Sequence, residues 1–178
     1  KEYDQAREVC VKMLADFPEL FNTHQLLGRT SFEEGKWEQC IPHFKTYLEL
    51  ATSEQGRAQQ SKVLDPSRAV FAAYGWLAES HFELEQYDEA VQYCRLALEF
   101  NFDRPKTHSN LAGALYKQDK FDEAATHWRK SLELDPDNPD THFKLGGALY
   151  KLGKDDETAK HWREALRLKP DWKDVRYK

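Results

Sequence analysis

The chain has 178 residues and a formal net charge of −5 at pH 7, with 31 acidic against 26 basic side chains. With 40% hydrophobic and 13% aromatic residues but eight Gly and seven Pro, it is too apolar for a disordered tail and too poor in turn formers for a sandwich of short strands, so helices are expected. No run approaches the roughly 18 uninterrupted apolar residues of a membrane span, and the acidic balance excludes a whole-protein basic field for nucleic acid.

The frame comes from a recurrence near the C-terminus. Pro105–Asn138 and Pro139–Trp172 align without a gap over 34 positions, 20 of them identical. From the N-terminus, Tyr3–Pro18 then fits only the second half of a unit, with Ala6, Cys10, Met13 and Pro18 in frame. Its apolar residues recur at helical spacing, which is not the pattern of a signal peptide. Lys1 in place of Met, and a start inside a motif, are what a piece of a longer protein is expected to show.

Residues 21–54 form the first full unit, carrying Leu27, Gly28, Cys40, Phe44, Tyr47 and Leu48 in frame. The frame then slips, and 55–70 is read as an insert or linker, longer than an ordinary connection between helices. Asp65 is placed there as an N-cap with Pro66 at the first helical position, which extends the next helix toward its N-terminus. A passive elongation and a partner-contacting element are both open for this stretch. Residues 71–104, 105–138 and 139–172 are the remaining units, and 173–178 look like the start of a further first helix.

Inside each unit the apolar residues recur at i, i+3, i+4 and i+7, which gives two amphipathic helices. Gly35, Asp119 and Gly153 mark the turn between them. Small residues (Gly28, Ala78, Ala112 and Gly146, against Cys40, Ala90, Ala124 and Thr158) are expected to let the two helices approach closely. Asn138–Pro139 is an N-cap followed by Pro at the first helical position.

This length and pattern resemble the tetratricopeptide repeat, with its Leu-Gly pair, its A-x3-F middle and its closing Pro. Leu27–Gly28, Leu145–Gly146, Ala90-x3-Cys94, Ala124-x3-Trp128, Pro136 and Pro170 carry the likeness. His24, His108 and His142 stand where the family's first aromatic would be, Thr52 and Phe102 where its closing Pro would be, and Thr158 at a small-Ala place. The resemblance covers nearly the whole chain. It implies one all-α domain over 1–178, a right-handed superhelical solenoid of antiparallel helix pairs without strands. Stacking is what stabilises such units, since one hairpin cannot bury its own apolar face.

Catalytic and metal patterns are missing. Gly147–Lys154 has five residues between its glycines where a phosphate-binding loop has four, and Asp155 follows in place of Ser or Thr. There is no GxSxG and no HExxH. Cys10, Cys40 and Cys94 form no CxxC and read as small buried residues. His24, His108 and His142 are equivalent to one another, as are His43, His127 and His161. Ligands one repeat apart do not converge on a metal, so a shared packing role is expected of them. The chain is therefore read as a non-enzyme without cofactor.

The resemblance places a ligand on a concave face lined by the first helix of each unit. Carried over by position, that face holds Arg29 and Phe32, then Trp76, Glu79 and Phe82. Lys106, Asn110, Tyr116 and Lys117 follow from the third unit, and Phe143, Lys144, Tyr150 and Lys151 from the fourth. Phe32, Phe82, Tyr116 and Tyr150 form an aromatic ladder at one equivalent place, open to packing and to ligand contact alike. The face is acidic around Glu79 in its first half and basic around the lysines in its second, which suits an acidic segment or a chain terminus. The carboxylate clamp of chaperone-binding relatives is broken here: Asn110 fits and Lys144 supplies a cation, but Gly75, Glu79 and Asp140 do not match.

The expected function is a protein-interaction module or scaffold that binds a peptide segment of a partner protein. The alternatives are a scaffold self-associating through its repeat ends, and a regulatory or substrate-recruiting arm of an enzyme. No nucleic acid and no membrane insertion are expected, and an acidic, disulfide-free composition points to the cytoplasm.

Overall fold

The computed structural model describes residues 2–53, 66–100 and 102–171. Among them lie nine helices and no strand: α1 (Glu2–Asp16), α2 (Phe21–Glu33), α3 (Trp37–Thr52), α4 (Pro66–Glu83), α5 (Tyr87–Leu98), α6 (Pro105–Lys117), α7 (Phe121–Leu134), α8 (Pro139–Lys151) and α9 (Asp155–Leu168). After α1 they pair as four hairpins, α2/α3, α4/α5, α6/α7 and α8/α9, the two halves of each repeat. Helix α4 opens at Pro66, so the last five residues of the predicted insert are its first turns. Asp65 and most of the insert, with 173–178, lie outside the described residues. The chain packs as two compact units, Lys1–Phe102 and Asp103–Lys178.

In the first unit Cys40, Phe44, Tyr47, Ala73 and Leu77 are all but inaccessible to water. Cys40 and Ser80 hydrogen-bond across this core at 3.0 Å, and Arg7 pairs with Glu34 to fix α1 against the α2–α3 turn. Val9, Val11 and Met13 of α1 are exposed, as is Phe17 just after it. In the second unit Leu111, Leu115, Trp128, Leu145 and Leu149 take the central places, and Arg129 of α7 reaches Glu157 of α9 at 2.8 Å.

At two of the expected small-residue places the close approach is that of a glycine to a large ring. Over Gly28 lies the Phe44 ring, where an added Cβ would sit 2.8 Å away. Over Gly146 lies the Trp162 indole, where it would sit 2.4 Å away. Each glycine makes room for a large ring one turn further along the second helix than the small residues at Cys40 and Thr158.

All four hairpins turn through one residue in the left-handed region: Gly35 and Gly153 at φ 70°, Glu85 and Asp119 at φ 59°. Each turn closes with the same two backbone bonds, for instance Glu85 N–H to Phe82 O at 3.0 Å and Gln86 N–H to His81 O at 2.8 Å, the Schellman ending of a helix. A side chain costs about 1–2 kcal/mol in this conformation, and Asp tolerates it better than Glu. Glu85→Gly is therefore expected to raise stability by about 0.5–1 kcal/mol after the added freedom of the unfolded chain is subtracted. Asp119→Gly should gain less, and thermal unfolding of the two variants measures both effects.

A second contact recurs in three hairpins. The Nδ1 atoms of His24 and His43 lie 3.2 Å apart, those of His108 and His127 3.2 Å, and those of His142 and His161 3.0 Å. In the α4/α5 hairpin the same two places hold Tyr74 and Tyr93, stacked at 6.3 Å between ring centroids.

Candidate functional site

The first helices α2, α4, α6 and α8 carry every residue that the sequence places at the binding face. The structure sorts them by what already touches them. Phe32, Phe82 and Tyr116 are engaged inside their own repeats, because the residue that opens the second helix is aromatic in each. Phe32 meets Trp37 at 5.0 Å, Phe82 meets Tyr87 at 5.5 Å and Tyr116 meets Phe121 at 5.1 Å, all edge to face, a favoured geometry for ring quadrupoles. The fourth repeat has Asp155 at that place, and Tyr150 is left 60% exposed, its ring 6.0 Å from Trp162. The aromatic ladder is thus a set of hairpin clasps with one open rung.

Trp76 is also turned inward, stacked on Phe44 at 5.1 Å. In the same unit Arg29 donates through Nε to Glu33 at 2.9 Å. Glu79 is half-buried, and burial together with the Glu79 charge pushes the Cys94 thiol up to about 12. Burial raises the thiols of Cys10 and Cys40 as well. Cysteines held as thiols are poor nucleophiles, which fits their place in the core.

The second unit does bring predicted residues together. A cleft of about 520 Å³ opens between α6, the end of α7 and the start of α8, and Lys106, Asn110 and Lys144 line it. Arg104, Ser109, Asp135, Asn138 and Asp140 are also in its lining. The walls are tied by hydrogen bonds. Ser131 Oγ donates to Pro105 O at 2.9 Å, Asn138 Nδ2 donates to Asp135 at 3.0 Å, and Asn138 Oδ1 accepts from Thr141 N–H at 3.0 Å. Asn138 is the expected N-cap of α8, with Pro139 behind it. Arg104, Lys106 and Lys144 stand exposed at the mouth.

Sequence reasoning missed Arg104, Asp135 and Asn138 as site residues because they lie in the connections and not on a first helix. The signals for them were the Pro105 and Pro139 helix starts, which fix where those connections end. Lys117, Phe143, Tyr150 and Lys151 lie beyond the lining of this cleft. Phe143 offers its carbonyl to Trp162 Nε1 at 3.2 Å. Between Phe143 and Tyr150, Gly147 faces open space, where an added Cβ would meet nothing nearer than Tyr116 Oη at 4.0 Å. Among the described residues no three His, Cys, Asp or Glu side chains gather to hold a metal ion, and no helix is long and apolar enough to cross a membrane.

Two family models match the chain, a tetratricopeptide repeat at residues 71–104 and a TPR repeat at 114–153. No curated protein matches it significantly. Among solved structures, MamA superposes with a TM-score of 0.80 at 21% identity, over 94% of this chain and 89% of that one. YrrB, described as a TPR protein with an unusual peptide-binding site, superposes with a TM-score of 0.80 at 16% identity, over 98% and 81%. A MamA fragment from Desulfovibrio magneticus RS-1 gives 0.79 at 13% identity, over 96% and 88%. Helix pairs of one design, joined by one turn and matched by tetratricopeptide-repeat models at 71–104 and 114–153, give this chain the all-α fold of tetratricopeptide-repeat proteins.

Proposed function

We propose that the protein is an interaction module that holds an extended, acidic segment of a partner protein against α6 and α8. The observation that carries this reading is the cleft in which Lys106, Asn110 and Lys144 meet Arg104. Its volume lies within the usual range for a recognition pocket. Three cations against the two carboxylates of Asp135 and Asp140 leave the lining net positive, which favours an acidic segment, and Asn110 offers both a donor and an acceptor to a passing backbone. Further along α8, Gly147 keeps the helix surface low and Tyr150 presents an exposed ring with a polar tip, the kind of side chain that anchors interfaces. The peptide-binding site described for YrrB, a protein of the same fold, agrees with such a use.

Binding of fluorescent acidic peptides, followed by anisotropy, tests the reading. Lys144→Glu is expected to weaken the best-bound peptide by about 10–30-fold, on the order of 1.5–2 kcal/mol. Lys12→Glu, on the exposed face of α1, should leave binding unchanged. Lys144→Glu and Asn110→Ala proteins that are as helical as the wild type and bind every acidic peptide equally well would rule the cleft out.

A further inference from the structure

The cleft is not lined by charges of one sign. Asp135 is engaged by its own connection, where Asn138 Nδ2 donates to it at 3.0 Å. Asp140 is the other carboxylate of the lining, exposed in the first turn of α8. Lys144 follows it four residues later on the same helix and is exposed as well. Neither side chain is held in a hydrogen bond or an ion pair among the described residues, although an acid four places before a lysine is a favoured order on a helix.

The preceding repeat carries the opposite sign at the same place. In the frame of the repeats Lys106 of α6 corresponds to Asp140 of α8, and Asn110 corresponds to Lys144. Asp140 therefore has a cation at the equivalent place of the neighbouring first helix and another one turn along its own.

Spacing decides which side chains of a bound segment meet these groups. Four residues of a helix advance about 6 Å along its axis. In an extended chain alternate residues share a face and lie about 6.6 Å apart. A segment lying along α8 thus sets one side chain at Asp140 and the next but one at Lys144. The stripe continues through Gly147, where an added Cβ would meet nothing nearer than Tyr116 Oη at 4.0 Å, so α8 puts no side chain of its own in the way there.

We infer that the segment held in the cleft is of mixed charge, with a basic residue at Asp140 and an acidic residue at Lys144, two positions apart in the partner. The inference rests on the function proposed above and specifies its ligand. An unbroken acidic run fits less well, because it brings a carboxylate against Asp140, and facing like charges exclude wrong partners. Basic and acidic residues side by side fail for another reason. Neighbours on an extended chain point to opposite faces, so one of the two charges is turned away.

Asp140 has a structural use too, since an acid in the first turn complements the positive end of the helix dipole. Helix α6 has no acid in its first turn. A role confined to the dipole would change the stability of α8 but not the preference among peptides, so that preference is the readout.

Four fluorescent peptides of one length and one neutral background, differing only at the centre, measure it by anisotropy. They carry Lys-x-Glu, Glu-x-Lys, Glu-x-Glu and an adjacent Lys-Glu. The wild type is expected to bind one of the two alternating orders about 3–10-fold more tightly than Glu-x-Glu, and the preferred order gives the direction of the chain along α8. The adjacent pair should fall behind it. Asp140→Lys should reverse the preference in favour of Glu-x-Glu, and Asp140→Asn should remove most of it. Circular dichroism checks that both variants are as helical as the wild type, and if Asp140→Lys is not, Asp140→Asn decides. Glu-x-Glu or the adjacent pair binding the wild type as tightly as the better alternating peptide would overturn the inference, as would a preference unchanged in Asp140→Asn. Either result leaves the acidic-segment function standing. Binding of none of the four to the wild type would remove that function and the inference with it.

Discussion

Phe44→Ala should destabilise the first unit by about 3–5 kcal/mol, as burial of a whole aromatic ring implies when the site cannot collapse. Phe44 is 0% exposed and touches three helices at once. Its own helix is α3, its ring lies over Gly28 of α2, and it stacks on Trp76 of α4. Gly28 has no side chain to move into the vacated volume, so the loss includes the cavity as well as the buried surface. Phe44→Leu keeps much of the volume and should cost less than half as much. Urea unfolding gives both values, and Trp76 fluorescence should report the opened neighbour. A Phe44→Ala cost below about 1 kcal/mol would mean that the three helices do not depend on this ring.

Gly146→Ala is expected to cost about 1–3 kcal/mol, although alanine is the better helix former by about 1 kcal/mol. The new Cβ would lie 2.4 Å from the Trp162 indole. That ring has little room to give way, since its Nε1 is bonded to Phe143 O at 3.2 Å. The next residue is a built-in control. Gly147→Ala meets only Tyr116 Oη at 4.0 Å, so propensity should prevail and stability should rise by up to about 1 kcal/mol. Trp162→Leu should suppress most of the Gly146→Ala cost, and a double-mutant cycle reads that coupling. If the two alanine variants prove equally stable, the Gly146–Trp162 contact is not what fixes the spacing of α8 and α9.

The hairpins, their turns and their proline starts were legible in the sequence because each depends on local chemistry. Pro66, Pro105 and Pro139 preset a helical first turn, and Gly35 and Gly153 announce a left-handed residue. Glu85 gave no such signal, since glutamate is an ordinary helix residue and only the frame of the other repeats places it at φ 59°. The binding face was read less completely for a physical reason. Position on the first helix says which way Phe32, Phe82 and Tyr116 point, but not that Trp37, Tyr87 and Phe121 already cover them. The histidines were visible as equivalent sets. Their pairing needed the crossing of two helices to bring residues nineteen apart within 3.2 Å. Arg104, Asp135 and Asn138 belong to connections, whose course depends on the helices they join.

The fit of Gly28 to Phe44 and of Gly146 to Trp162 also limits how such an array can grow. The frame sets Ala78 against Cys94 at the same two places, a medium residue opposite a small one. A first helix exchanged alone between repeats would bring Ala78 under Phe44 or leave Gly146 beneath Cys94, giving a clash in one case and a void in the other. The third hairpin differs, with buried Ala112 at the glycine place and buried Trp128 at the ring place. A whole pair carries both volumes with it when copied, whereas a helix moved alone has to meet a partner of complementary size.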